Sequence, residues 1–519
     1  MKRLPWHSLM FLLFPVLFMY AQNIEMTKLA DIGSPVLKTI AAGIMLFLLS
    51  RLVFRSWIKA GILTSVISVL FFSYGAYHNY LYTYSIPFPF KNIRLDHNFY
   101  KWSGLVILIL TCWRLLKMSA EPLKLNSLLN FISLVLVGIS LYNIVSFHLT
   151  NSETSKTSKN IHANDSISIP SHRPSIYYLI MDAYGRSDIL DHYYGFDNSD
   201  FLNFLKEKGF YVATKSHSNY GQTILSLPSS LNMTYLDSIA KTVGTESEDR
   251  WPLNKFLDNN KVLEYLKSIG YKSAAFDASM WEVAYLSSVD VFYKTPGSSI
   301  NMLENELLKS TILNAFYKGK FLQTEPYAHH RKKILNAFDL IAKMPEKKEP
   351  YYVHGHILSP HEPFVFDKKG NPVNPDHEYG IWRPFDLKTD NSYFKKAYIE
   401  QLQFVNMKLK ETIIAILEKS KEKPIIIIQG DHGPSSELRN YKGFSNNDFT
   451  ERMSILNAYY FPDGDYSALY DSITPVNSFR VIMNKYFNKN YTLLPDLSYF
   501  SNWDHPYHFY DVTDSLRRP

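Results

Sequence analysis

The chain has 519 residues, 46% apolar and 15% aromatic, too apolar for a disordered protein and too long for one ordinary domain. Its net charge of +7 comes from 55 basic against 48 acidic residues, dispersed without the Lys/Arg blocks of a nucleic-acid binder, so the bias is read as a membrane feature. A single cysteine, Cys112, rules out an intrachain disulfide framework and a cysteine-based zinc site.

Five apolar stretches open the chain, near Leu9–Tyr20, Val36–Phe54, Ile58–Tyr77, Gly104–Leu116 and Leu128–Phe147. Crossing a bilayer takes about 20 residues at about 1.5 Å each. The second, third and fifth stretches meet this directly. Lys2 and Arg3, then Arg51, Arg55 and Lys59, then Arg114, Lys117 and Lys124 mark alternate ends. Placing those ends in the cytoplasm satisfies the positive-inside rule, and an odd number of spans puts everything after His148 outside. The first stretch also fits a signal peptide, with Tyr20-Ala21-Gln22 as a weak cleavage site. Residues 1–149 are thus expected as a transmembrane domain, 150–172 as a Ser/Thr/Asn-rich linker, and 173–519 as an outer catalytic domain.

In that outer part, Ile176–Met181 is a continuous apolar run of buried-strand type ending at Asp182. A helix is expected over residues 198–209, a strand over 210–214, and a helix opening at or just after Thr223 in Ser218-Asn-Tyr-Gly-Gln-Thr. Leu253–Ser268 reads as a helix and Tyr271–Phe276 as a strand. Ile300–Phe321 and Ala328–Met344 read as surface helices. Tyr351–Ile357 is a strand running into Ser359-Pro-His361-Glu-Pro-Phe, Ser392–Lys419 a long amphipathic helix, and Ile425–Ile428 a strand ending at Gly430-Asp431-His432-Gly433. Ile455–Phe461 is a last strand, followed by a helix over residues 478–487. Strands alternating with helices imply a parallel α/β sheet with helices on both faces.

Parallel strands deliver their carboxyl ends to one edge, where ligands bind in such sheets. Asp182, Thr223, His361 and Asp431-His432 are therefore expected to converge, although each strand-end acid also fits a capping turn. Carboxylates with imidazole suit zinc or manganese. A threonine hydroxyl needs such activation to attack. Ser218 and Ser226 are alternatives to Thr223 as nucleophile. Arg186 is a candidate for bidentate phosphate binding. His354 and His356 share one face of their strand, and either is a substrate group or a satisfied core histidine. His505 and His508 are assigned to packing.

These motifs together resemble the alkaline phosphatase/sulfatase superfamily. With five spans ahead of an outer domain carrying a threonine, the chain is similar to lipoteichoic acid synthases and phosphoethanolamine transferases. The resemblance implies an α/β fold: an N-terminal bundle of about five transmembrane helices, then an alkaline-phosphatase/sulfatase-like parallel sheet flanked by helices. It implies one divalent ion, zinc or manganese, on Asp182, Thr223, Asp431 and His432. Thr223 is then the nucleophile, His361 serves the phosphate or leaving group, and Trp281 contacts substrate, with Arg186 and His356 as the further substrate-facing candidates read from the residues themselves. It further implies a membrane-lipid donor, an envelope glycan or lipid acceptor, no nucleic-acid partner, and a bacterial cytoplasmic membrane with the catalytic domain outside. Asp182 stands where those transferases carry Glu. No Cys/Ser-x-Pro-x-Arg sequence surrounds Thr223, which disfavours formylglycine sulfatase chemistry. Ester hydrolysis and a metal-free envelope scaffold are the alternatives.

Overall fold

The computed structural model describes residues 4–24, 27, 29–77, 97–158, 170, 172–278, 286, 288–296, 302–316, 320–374, 391–436 and 446–516. The chain forms two compact units, Met1–Asp165 with Ser298–Leu322, and Ser166–Gly297 with Gln323–Pro519.

The first unit is built on α1 (His7–Gln22), α2 (Gly33–Phe54), α3 (Trp57–Phe72), α4 (His97–Lys117) and α5 (Leu123–Ser158). Four segments are long and apolar enough to cross a membrane: Gly33–Phe54, Trp57–Tyr77, Asn98–Lys117 and Leu123–Leu149. The fifth apolar helix, α1, has only 16 residues. α1 nevertheless packs against α2, α3 and α5. Large apolar side chains such as Leu52, Trp102, Phe131 and Tyr142 point outward, while His7, Ser65 and Asn126 are buried. That inverts the usual soluble pattern and suits a lipid surround. His7 Nδ1 lies 2.6 Å from Ser65 Oγ and Nε2 3.2 Å from Asn126 Oδ1, and its backbone N–H donates to Asn130 Oδ1 at 2.8 Å.

Two features depart from expectation. α5 continues to Ser158, into the tract read as a linker. The stretch read as a surface helix near residues 300–321 holds a helix, Met302–Lys309, that packs on α1 and α2. Its Glu304 is buried, accepting from Ser34 Oγ at 2.5 Å and pairing with Lys38 Nζ at 2.8 Å.

The second unit carries a seven-stranded sheet in the order β2-β7-β6-β1-β5-β3-β4. Its strands are β1 (Ile176–Met181), β2 (Tyr211–Val212), β3 (Lys272–Phe276), β4 (Val291–Tyr293), β5 (Tyr351–Ile357), β6 (Ile425–Gly430) and β7 (Asn457–Tyr460). β6, β1, β5, β3 and β4 are parallel, as expected. The other edge is not: β7 pairs antiparallel with both β6 and β2, so the sheet is mixed. A buried-strand pattern fixes the two faces but carries no direction. Alternation along β1 sends Tyr177, Leu179 and Met181 into one apolar layer and Ile176, Tyr178 and Ile180 into the other. The expected helix over 253–268 is two, Trp251–Asp258 and Lys261–Ser268, because Asn260 caps the second through its side chain on Leu263 N–H at 2.8 Å.

Register places the site. Met181 of β1 is level with Ile357 of β5 and with Gly430 of β6. Asp182 and Asp431 therefore leave the sheet side by side.

Candidate active site

Backbone geometry fixes the two acids. Asp182 N–H donates to Ile357 O at 3.0 Å. Ala183 follows at φ 62°, in the left-handed region that non-glycine residues rarely enter. That turn aims its N–H at Asp431 Oδ1, 3.1 Å away, and its carbonyl at the Tyr398 hydroxyl, 2.8 Å away. Asp431 Oδ1 also accepts from His432 N–H at 3.0 Å. With Oδ1 held by two amides, Oδ2 is presented to the cleft. The flanking glycines are required by close approach: a Cβ at Gly430 would meet Tyr184 O at 2.5 Å, and one at Gly433 would collide with Glu451 O.

Thr223 is the first residue of α6 (Thr223–Asn232) and is half-buried. Its hydroxyl donates to Asp431 Oδ2 at 2.6 Å and lies 3.3 Å from His432 Nε2. His432 Nδ1 is 2.9 Å from Gly433 O. A carbonyl only accepts, so Nδ1 carries the proton and Nε2 presents a lone pair. Nε2 sits 3.5 Å from Asp182 Oδ1 and 3.4 Å from Asp431 Oδ2. Burial, reinforced by the Arg452 charge, lowers His432 to about 4, which keeps this imidazole neutral. His361 repeats the arrangement, with Nδ1 2.8 Å from Glu362 O and its ring 5.9 Å from that of His432.

Burial would raise the Asp182 carboxyl, but His361, His356 and His432 around it hold it well below the ordinary range. Burial would lower His356, and Asp182 more than offsets this, so it is raised. His356 Nε2 comes within 3.3 Å of Asp182 Oδ2 without completing a hydrogen bond. Asp182 Oδ1 is likewise buried without a hydrogen-bond partner among the described residues.

Two buried carboxylates flanking one lone-pair nitrogen repel each other in a low dielectric unless a cation lies between them. The ligand atoms of Asp182, His361 and His432 lie within 4.8 Å of one another, as do those of Asp182, His356 and Asp431. Mixed carboxylate and imidazole donors, with an orphaned carboxylate oxygen among them, fit one divalent metal ion.

A family comparison matches residues 174–483 to the sulfatase family. The chain belongs to that family. It is thus an enzyme of sulfatase-like ester chemistry, a hydrolase or transferase. Among solved structures, the C-terminal periplasmic domain of EcEptC from Escherichia coli is similar at 13% identity and TM-score 0.41, covering 64% of this chain and 91% of its own. The same domain of the phosphoethanolamine transferase EptC from Campylobacter jejuni gives 15% and 0.38, covering 62% and 92%. The integral membrane lipooligosaccharide phosphoethanolamine transferase A from Neisseria meningitidis gives 11% and 0.38, covering 92% and 94%. A search of curated proteins finds no match.

The structure brings together Asp182, Thr223, His361, Asp431 and His432, all named from sequence. His356, read as either a substrate group or a satisfied core histidine, is buried beside Asp182. His354, one row back on the same strand, is a core histidine lowered by burial to about 3, with Tyr352 3.3 Å from its Nδ1. The Arg186 guanidinium is engaged by protein groups. Its Nε and Nη2 grip Asp188 at 2.7 and 2.8 Å, and Nη1 donates to Ser216 O at 2.9 Å. Trp281 lies outside the described residues. Sequence reading missed Arg452, at the end of α7 (Asn446–Met453), which donates to Gly221 O at 2.7 Å and Gly433 O at 3.2 Å and so ties the Thr223 loop to the His432 loop. It also missed Glu362, which burial pushes up to about 7 against the opposing pull of His361. Arg452 carries no local sequence signal, since its role depends on which loops meet, and Glu362 stands in the His-Glu-Pro-Phe motif but its burial depends on the packing around it.

Proposed function

We propose that this enzyme is a metal-dependent phosphotransferase of a bacterial cytoplasmic membrane, acting on the outer side. Thr223 takes a phospho-head group of phosphoethanolamine or phosphoglycerol type from a membrane lipid and passes it to a hydroxyl of an envelope glycan or lipid. The observation that carries this reading is the Thr223 hydroxyl, 2.6 Å from Asp431 Oδ2 and 3.3 Å from His432 Nε2. A threonine cannot be converted to formylglycine, so the hydroxyl oxygen itself must attack. The apolar helices of the first unit support a lipid donor.

Asp182, Asp431 and His432, with Thr223 Oγ1, are the residues that would hold one zinc or manganese ion, which when bound lowers the hydroxyl pKa and neutralises charge on the ester oxygens. Asp431 Oδ2 accepts the Thr223 proton as the Oγ1–P bond forms. The bond from phosphorus to the diacylglycerol oxygen breaks, and His361, entering the cycle as an imidazolium whose Nδ1–H rests on Glu362 O, gives that oxygen its Nε2 proton. In the second half the acceptor hydroxyl attacks phosphorus and returns a proton to His361. The Oγ1–P bond then breaks, and Thr223 recovers its proton from Asp431.

With lipid labelled in both head group and acyl chain in native membranes, Thr223→Ala should keep its fold and three of the four metal donors, and at saturating zinc diacylglycerol release should fall on the order of 10³-fold or more. Undiminished release removes Thr223 as nucleophile. Free phospho-head group as the wild-type product replaces transfer by hydrolysis.

A further inference from the structure

Residues 497–512 lie beyond the family match, which ends at 483. They run along the loop that delivers Thr223. Ser498 Oγ donates to Ser218 O at 2.8 Å, Tyr499 N–H to Asn219 O at 2.9 Å, and Asn219 Nδ2 to Leu497 O at 2.8 Å. The Tyr220 and Tyr499 rings stack at 5.7 Å. The Gln222 side chain then reaches the same segment, its Nε2 3.0 Å from each of Ser501 O, Ser501 Oγ and Asn502 O. Three acceptors in one place dictate which end of the amide faces them. The segment is itself anchored. It folds back as a hairpin of β8 (Tyr499–Phe500) with β9 (Tyr510–Asp511), and Phe500 and Val512 pack on Met453 of α7.

Gln222 is the residue before α6, extended at φ −129° and ψ 137°, and its side chain makes no cap hydrogen bond to its own helix. Its polar reach is given to the 501–502 backbone instead. The residue that sets the direction of Thr223 is thereby held from outside the family-matched region.

We infer that Gln222 and the 497–502 segment form a positioning clamp that fixes the Thr223 hydroxyl against Asp431 and His432. The inference rests on Thr223 being the nucleophile. Among the described residues the Gln222 side chain hydrogen-bonds only to Ser501 and Asn502, and not to Asp431 or His432. Its loss should therefore displace the attacking oxygen and leave the Asp182, Asp431 and His432 side chains, the three stronger metal donors, in place. Displacements of about 1 Å at a reacting atom cost about 100-fold in rate.

The test uses the full chain in detergent with Gln222→Leu, which keeps volume and removes the donor. Cleavage of bis(p-nitrophenyl) phosphate should lose roughly 10- to 100-fold in kcat, with KM and zinc affinity within about twofold of wild type. Hydrogen exchange of amides 219–224 should accelerate at least about tenfold. Ser498→Ala, cutting the clamp from the other side, should move both readouts the same way by less. Wild-type exchange and turnover in Gln222→Leu overturn the clamp, and so does a loss of zinc affinity in step with kcat, which marks general unfolding. The exchange readout decides the clamp whatever ester the enzyme prefers. Thr223→Ala run in parallel separates the two claims, since wild-type turnover there sinks the nucleophile and not the clamp.

Discussion

Each unit buries a cluster of polar side chains, and the two clusters follow opposite rules. In the membrane-type unit His7 is fully buried, and both ring nitrogens meet partners in Ser65 and Asn126. In the sulfatase unit Asp182 Oδ1 and His356 Nε2 are buried without hydrogen-bond partners among the described residues, and His432 Nε2 faces two carboxylates. The first cluster is closed, each polar group answering another, as hydrogen bonds that join helices in lipid do. The second is open, its atoms directed at a common point. A closed cluster stabilises a fold. An open one holds like charges together at a cost in stability that binding offsets.

The contrast is broken or sharpened by cutting each cluster in turn. The larger effect is expected in the open one. Asp431→Asn should lower zinc or manganese affinity by at least about 100-fold, measured by competition with a chelator. The metal-free protein should melt at the same temperature or higher, because one of two like charges is gone. A metal-free melting point several degrees lower would show that the cluster is structural. The smaller effect is expected in the closed cluster. His7→Leu removes the ring's hydrogen bonds to Ser65 and Asn126 and should destabilise the protein in detergent by about 0.6–1.7 kcal/mol. Metal affinity and turnover per folded molecule should stay unchanged, and a shift in either would erase the distinction between the clusters.

Much of the open cluster was legible before any coordinates. Runs such as Ile176–Met181 and Ile425–Gly430 are strands because they are apolar and β-branched or aromatic, and parallel strands must deliver Asp182 and Asp431-His432 to one edge. Thr223 was legible as a helix opening. What was hidden depends on long-range packing. Whether His356 or His361 meets the acids depends on the turn leaving β5, and the structure sets both near Asp182. The antiparallel entry of β7 leaves no mark on its apolar pattern. Glu304 reads as a surface acid until Ser34 and Lys38, some 270 residues away in the chain, close over it. Arg452 joins two loops through the carbonyls of Gly221 and Gly433, and the 497–502 segment offers its own carbonyls to Asn219 and Gln222, meetings which no local motif announces.

The central claim is that Thr223 Oγ1 is the atom that carries the transferred group. The direct measurement is the mass of the peptide containing Thr223, from full-length enzyme incubated with native membranes and quenched in acid. The expected result is a phospho-head-group adduct on Thr223 that vanishes in Thr223→Ala and accumulates when the acceptor is withheld. An adduct on Ser218 or Ser226 instead, or turnover with an unmodified Thr223 peptide at every time point, would contradict it.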